Sequence, residues 1–506
     1  MMIYQNIENL LYYAQNNLLL DDLDLQYARN LILDELKLTS YEQYEVNADE
    51  LDALAAPDAV LDPIVAYAVD NGIITETQKE YFGDKIMNLV MLKPSQVADM
   101  FDDLHAKSAV KAFDWLYDYA VKSNYVKASK IAENKCWEAK GTKGKIEVTI
   151  NLARPEKDNK DTEKLLKSKS SHYPECNICI DNCGYSDGVQ NRRTLRYAPM
   201  ELGGEQWFWQ YSPYSYFNRH GIAVNFDHVP MKVDGETIAK LFDCIDFLPN
   251  NYFIGCNAAL PRIGGSILTH DHFQGGGRLL PMHKAPAAYK IKSADYPYVD
   301  ACVADWYNNV IRLSCSNREK LIELASKINA AWHVYSDESV GVLAKTDEQH
   351  NSVTPIVRKD NGNYIVDIIL RNNRCDDKYP DGIFHAHPEY MNIKSESIGL
   401  IEAMGLFVLP ARLDAALAQI EKYLTREVRY NAASLGEDMK CHQGMIERLL
   451  AESKSKVSPL EASLNVKDEV NRVCEEILRN TAVFKNDEQG TAAMEKFLSS
   501  LGFAKR

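Results

Sequence analysis

No stretch of this chain approaches the ~18 consecutive apolar residues that a membrane-spanning helix needs. The opening segment, "MMIYQNIENLLYYAQNNLLLDDLDLQ", lacks a basic n-region and runs straight into acids. No secretory signal is therefore expected, and the expected location is the cytoplasm. Positive charge is scarce as well: 57 Lys and Arg face 72 Asp and Glu, a net charge of −15. That balance argues against a general affinity for nucleic acid or anionic membrane. A small anionic substrate would need locally concentrated Arg, Lys or backbone N–H groups. The eleven cysteines are odd in number and mostly scattered singly, a pattern of reduced thiols rather than a disulfide framework. Short-period repeats and low-complexity segments are absent too. What remains is a soluble globular composition over 506 residues, enough for about two to four folding units.

The texture changes along the chain. Residues 1–130 carry apolar residues at three- and four-residue spacing, as in "YARNLILDELKL", and read as helical. From about 145, "KIEVTINLA", "EQWFWQYS" and "HGIAVNF" read as strands. The charged stretch "RPEKDNKDTEKLLKSKSSHYPEC" between them reads as an exposed loop or short helix. Ser316 or Asn317 is placed to cap the helix "NREKLIELASKINAAW". "TPIVRKDNGNYIVDIIL" reads as a hairpin around Asn361-Gly362. Beyond about 425 the sequence returns to charge-rich helix.

The most informative stretch is "GGSILTHDHFQGGG". Its β-branched run predicts a strand through 266–274, which puts His270, His272 and Gln274 in one row with Asp271 and Phe273 behind. The flanking glycines allow backbone N–H groups to approach a ligand. Three readings compete: a half-buried edge strand, a metal pair of the HxH type, and a histidine nucleophile attacking phosphorus. Roughly three quarters of an ordinary imidazole is neutral at pH 7, so the third reading needs no activating base. No further ligand motif accompanies the HxH pair. The residues alone leave the second and third readings close.

"FIGCNAALPRIGGSILTHDHFQGGGRLLPM" closely resembles the active-site signature of the class II galactose-1-phosphate uridylyltransferases. "EVTINLARPEKD", "YPECNIC", "QYSPYSYFNRHGIAV", "DHVPMKV", "YSDESV", "LRNNR" and "IGLIEAMGLFVLPARL" resemble the same family in the same order, covering the chain from near its start to about 425. The resemblance implies the histidine-triad superfamily, with the middle residue of the row as nucleophile. On this chain His272 would attack the α-phosphorus of UDP-glucose, release glucose 1-phosphate, and pass the uridylyl group to galactose 1-phosphate to give UDP-galactose. Gln274 would hydrogen-bond the phosphoryl oxygens. Gly264, Gly265 and Ser266 would add donors, and Asn257 and Arg154 resemble phosphate- and nucleotide-contacting residues of class I relatives. Two departures stand out: Asp271 replaces a class I proline, and Ser266 lies one residue further from the first histidine than its class I counterpart.

Cys176 and Cys179 form a lone CxxC, weak evidence for zinc by itself. The resemblance to class I adds His228 and His270 as the other two ligands of a structural zinc; Cys183 is a further thiol without a role. No organic cofactor is implied. A second class I metal site transfers less well, so His385 and His387 read as two histidines on a half-exposed strand. His283 and His350 receive no role. Glu402, in "IGLIEAMG", falls near the segment that contacts the hexose in relatives; a sugar hydroxyl or an arginine would equally satisfy a buried acid there. The aromatics of "EQWFWQYSPYSYF" are expected mostly in the core, with one or two reaching the site.

The expected fold is α+β: two histidine-triad-like units of mainly antiparallel sheet flanked by helices, at 131–285 and 286–425, with helical extensions at 1–130 and 426–506. The resemblance also implies a homodimer. A dinucleoside polyphosphate phosphorylase of the same superfamily and a metal-dependent hydrolase built on the HxH strand are the rival readings.

Overall fold

The computed structural model describes residues 2–153, 173–185, 192–265, 267–453 and 455–506. Two sheets organise the chain. The smaller contains β1 (Lys135–Gly141), β2 (Gly144–Asn151) and a late strand, Leu406–Pro410, which lies parallel to β2. The larger begins with β3 (Ala198–Leu202), β4 (Glu205–Tyr211), β5 (Gly221–Asn225), β6 (Phe253–Gly255) and β7 (His272–Gly276). It continues with β8 (Ala287–Ser293), β9 (Asp300–Ala304), β10 (Val310–Cys315), β11 (Asn351–Asp360) and β12 (Asn363–Asn372). The late strand of the small sheet is β13, and β14 (Phe503–Lys505) closes one edge of the large one.

The large sheet has eleven antiparallel strands in the order β14-β8-β9-β10-β12-β11-β6-β7-β5-β4-β3. The β6–β11 pair joins its two halves, so the sheet runs without a break across residue 285. The expected α+β class with helical ends is what the chain adopts. The turn between β11 and β12 has positive φ at Asn361 and Gly362, the geometry of a two-residue hairpin turn. Asn317 caps the helix Arg318–Val334 by accepting from the Lys320 N–H.

Strand alternation sorts the side chains. Trp207, Trp209, Tyr211 and Phe273 face a core shared with the N-terminal helices, where Phe113 meets Trp209 edge to face at 5.6 Å. The helices Gly235–Phe247 and Arg318–Val334 belong to the same layer. The opposite face, which carries Phe253, Ile356 and Ile369, packs against the small sheet and the C-terminal helices. His272 and Gln274 alternate with Phe273 and so point to this second face.

One expectation fails. The strand starts at His272, not at 266, and residues 267–271 lie in irregular backbone. β5 ends at Asn225, and the chain beyond it holds 267–271 through scattered bonds instead of a ladder: Met231 N–H to Leu268 O at 3.0 Å and Asp271 N–H to Val229 O at 2.7 Å. His270 therefore leaves the row. The glycines also act differently from expectation. A Cβ on Gly275 would come within 2.0 Å of the Phe253 carbonyl oxygen, so this glycine admits the backbone of β6.

Candidate active site and metal cluster

His270 and His272 are both buried, yet they serve different neighbours. The His270 Nε2–H donates to the Asn225 carbonyl oxygen at 2.8 Å. That leaves the Nδ1 lone pair facing Cys176 Sγ at 3.3 Å and Cys179 Sγ at 3.4 Å. His228 Nδ1 stands 3.1 Å from Cys179 Sγ, and the four donor atoms lie within 4.8 Å of one another. Each histidine is oriented from behind, His270 by the Asn225 carbonyl and His228 by Glu175 at 3.7 Å. Within the cluster the Cys176 thiol is lowered to about 4, first by the hydrogen bond from Cys179, against the cost of burial and with help from His270. Cys179 is raised in turn, so the pair shares a single thiolate. Two sulfurs with two imidazoles gathered this closely are the donor set of a tetrahedral metal site, and a cation there would favour the thiolate form of both cysteines. The four residues expected as ligands are thus brought together, and they fit a metal. Cys183 stays outside, its Sγ–H directed to the Leu195 carbonyl.

His272 has the other tautomer. Its Nδ1–H donates to the His270 carbonyl oxygen at 2.8 Å, so Nε2 carries the lone pair. Burial pushes this imidazole below its ordinary value, which favours the neutral base. Two residues on, Gln274 Oε1 accepts from His220 Nε2 at 3.3 Å. His220 is itself buried and lowered to about 4 by that burial, so it is a neutral donor here. With its carbonyl engaged, Gln274 is left with its two amide N–H donors for a cavity of about 530 Å³ that it helps to line.

The cavity gathers distant parts of the chain: Asn151 at the end of β2, Asn257, Gly265, Gln274, and the segment 394–412. Asn257 holds that segment, its Oδ1 accepting from the Leu400 N–H at 2.8 Å. Gly265, at φ +79°, brings the backbone against Asn257, where a Cβ would sit 3.1 Å from Nδ2. Gly264 packs against Leu260 and does not line the cavity. Glu402 is paired: the Lys394 ammonium meets its Oε1 at 3.1 Å and the Val408 carbonyl at 3.0 Å. Burial opposes the Lys394 charge, but Glu402 and Glu396 outweigh it and raise its value. The fully buried Arg371, lowered to about 10 by desolvation, donates to the Ile398 carbonyl at 2.6 Å and backs the same loop. Arg154 and Ser266 lie outside the described residues.

His385 and His387 sit in a turn-rich segment and not on a strand. His387 donates to the Ile383 carbonyl at 3.1 Å and stacks on Tyr379, while His385 is buried. Among the described residues, the cysteine cluster is the one group that could hold a metal, and His272 is not part of it. An HxH pair sharing one ion is thus not formed. Of the aromatics of 205–217, Tyr216 reaches the cavity and Trp207, Phe208, Trp209 and Tyr211 are core.

The sequence profile of the galactose-1-phosphate uridyl transferase N-terminal domain matches residues 26–230, and that of the C-terminal domain matches 248–436. A galactose-1-phosphate uridylyltransferase of Caldanaerobacter subterraneus subsp. tengcongensis is 41% identical over 513 residues, covering 99% of this chain and 98% of that one. This chain belongs to the galactose-1-phosphate uridylyltransferase family. A relative of the same name from Clostridium acetobutylicum is 39% identical, covering 99% of this chain and 100% of its own. One from Streptococcus mutans is 39% identical, covering 95% and 96%. A crystal structure of yeast Ap4A phosphorylase Apa2 in complex with AMP matches 60% of this chain and 87% of that one at 9% identity, with a TM-score of 0.31.

Sequence reasoning on this transferase family member missed His220, Lys394 and Arg371. His220 had a visible signal: it immediately precedes the run "GIAV" that pairs with β7. Lys394 and Arg371 had none, because Glu402, which pairs with Lys394 and whose charge reaches Arg371, is 8 and 31 residues away by number (402 − 394 and 402 − 371) on a separate element.

Proposed function

We propose that the chain exchanges a uridylyl group between UDP-glucose and galactose 1-phosphate, giving glucose 1-phosphate and UDP-galactose, through a covalent uridylyl-histidine at His272. The observation that carries this reading is the His272 tautomer, fixed by the bond from Nδ1 to the His270 carbonyl. Nε2 offers its lone pair to the α-phosphorus. The P–N bond forms as the bond from the α-phosphorus to the bridging oxygen breaks, and the electron pair leaves with glucose 1-phosphate. The phosphate monoester is a good leaving group. The imidazole becomes cationic, and its Nδ1–H already points at a carbonyl oxygen that stabilises the charge. The phosphate oxygen of galactose 1-phosphate then attacks the same phosphorus in the reverse sense and frees the histidine.

Gln274 presents its amide donors to the phosphoryl oxygens because His220 holds the carbonyl end. Glu402 would accept from hexose hydroxyls, and Lys394 keeps that acid ionised and aimed. Zinc would suit the two sulfurs and two imidazoles of Cys176, Cys179, His228 and His270. Held there, it would be structural and would tie the cysteine loop to the backbone that leads into His272.

The test is intact mass after mixing with UDP-glucose at neutral pH, for wild type and His272→Ala. A single uridylyl adduct on wild type, with release of glucose 1-phosphate and neither event in the variant, is the expected result. A folded wild type that binds UDP-glucose but forms no adduct and releases no glucose 1-phosphate would overturn the reading.

A further inference from the structure

A second cavity, of about 750 Å³, lies on the large sheet and shares no lining residue with the first. It opens where β6 begins, where the chain leaves β7, and at the β11–β12 turn. Phe253 pairs with both Arg358 and Gly276 there, two residues along β6 from Gly255, which pairs with Gln274. Arg358 and Gln274 therefore flank β6 from its two sides, two residues apart in register.

The wall of this cavity carries a nearly buried guanidinium with donors to spare. Arg358 and Arg312 share one carboxylate, Asp367, which is fully buried. Every nitrogen of Arg312 is engaged: its Nε reaches Asp367 at 2.5 Å, and its two terminal nitrogens donate to the Ala285 and Met282 carbonyls at 2.8 and 3.0 Å. Arg358 is only 6% exposed, yet its one hydrogen bond runs from Nη1 to Asp367 Oδ2 at 3.1 Å. The rest of its donor fork belongs to a residue that lines the cavity. His283 lines it too. Its Nδ1 accepts from the Leu280 N–H at 3.1 Å, which leaves a buried Nε2–H with no partner. Lys359 adds a charge at the rim, paired with Asp246 at 2.6 Å, and Asp360 is exposed on the turn. The side chains of Asn250, Asn251, Asn361 and Asn363 add amide groups to the lining, beside Tyr252, Leu279 and Tyr364. Two guanidiniums share one fully buried carboxylate, with Asp360 at the exposed end of β11 as a further counter-charge to Arg358, so the free part of the Arg358 fork is the group an anion would answer. A guanidinium fork is the group suited to a planar or tetrahedral oxyanion.

We propose that this second cavity is a binding site for a phosphate group, held by Arg358 and surrounded by hydrogen-bonding amides, distinct from the cavity lined by Gln274. The ligand is either free phosphate or the phosphate end of a small sugar phosphate; the shared chemistry is a tetrahedral dianion. Equilibrium dialysis with labelled inorganic phosphate, on the full chain, tests it. Arg358→Gln should weaken one phosphate site by about 10- to 100-fold, the loss of a charge-assisted hydrogen bond. Leu279→Glu, a surface change at the rim of the cavity, should weaken the same site by repulsion without touching the core. Lys394→Gln, in the first cavity, should leave it unchanged. Displacement by glucose 6-phosphate at lower concentrations than phosphate itself would assign a sugar-bearing ligand, and no such advantage would assign free phosphate. Phosphate binding that is equal in wild type, Arg358→Gln and Leu279→Glu would overturn the proposal, as would no binding to wild type at about 10 mM.

Discussion

His270 and His272 stand two residues apart, both buried, with their protons on opposite nitrogens. On the cysteine side, His270 gives its Nε2–H to the Asn225 carbonyl and turns Nδ1 to two sulfurs. On the face of β7 that it shares with Gln274, His272 gives its Nδ1–H to the carbonyl of His270 itself. One residue type thus does two jobs, and a backbone carbonyl decides which. The difference teaches that a histidine motif is not a ligand set until the acceptor of each second nitrogen is known.

The largest effect should come from breaking the His272 side alone. His272→Ala should lower kcat/KM by at least about 10⁴-fold, while metal content by elemental analysis and thermal stability stay near wild type. Loss of the metal in that variant would mean the two histidines do not divide their work. Breaking the other side is the converse. Cys179→Ser should abolish the stoichiometric metal and lower Tm by about 5 °C or more, with adduct formation impaired through folding and not through chemistry. A Cys179→Ser protein that keeps its metal and its melting temperature would refute the four-residue cluster.

A third test uses pH. His220 drops from its ordinary 6.5 to about 4 on folding, so the unfolded chain binds the extra proton between those values. Stability should therefore fall as pH falls from 6.5 to 4, by up to about 3 kcal/mol from this residue. The gap in urea-unfolding stability between wild type and His220→Phe should change with pH across that window and level off above it. A gap independent of pH would mean His220 is not neutral by burial.

Two smaller effects sharpen the cavity side. Lys394→Met removes the partner of Glu402, and steady-state kinetics should show KM rising about 10- to 100-fold for both UDP-glucose and galactose 1-phosphate, whose hexoses would occupy one subsite in turn. Unchanged KM values for both substrates would take Glu402 away from the hexose. His220→Phe frees the Gln274 amide to rotate, and kcat should fall about tenfold while KM for UDP-glucose holds. An unchanged kcat would show that Gln274 needs no anchor.

Local rules made much of this legible. The Asn361-Gly362 turn, the Asn317 cap and the switch from helical to alternating texture follow from the residues that form them. The four-residue cluster was readable only through family resemblance, since a lone CxxC names neither histidine. The start of β7 was misread because "SILTH" has strand composition, whereas the path of 225–231 beside it decides whether a ladder forms. Pairings over long separations were invisible for the same reason. Nothing near residue 150 announces Pro410 as the neighbour of Asn151.

That last pairing has a consequence for a nascent chain. Asn151 ends β2, Pro410 ends β13, and both line the cavity whose base carries Gln274. A ribosome that has made the histidine row has still to deliver more than a hundred residues before the opposite wall exists. Until Leu406–Pro410 docks, the row is present without a pocket, and a half-made chain has no enclosed place in which to hold a sugar nucleotide.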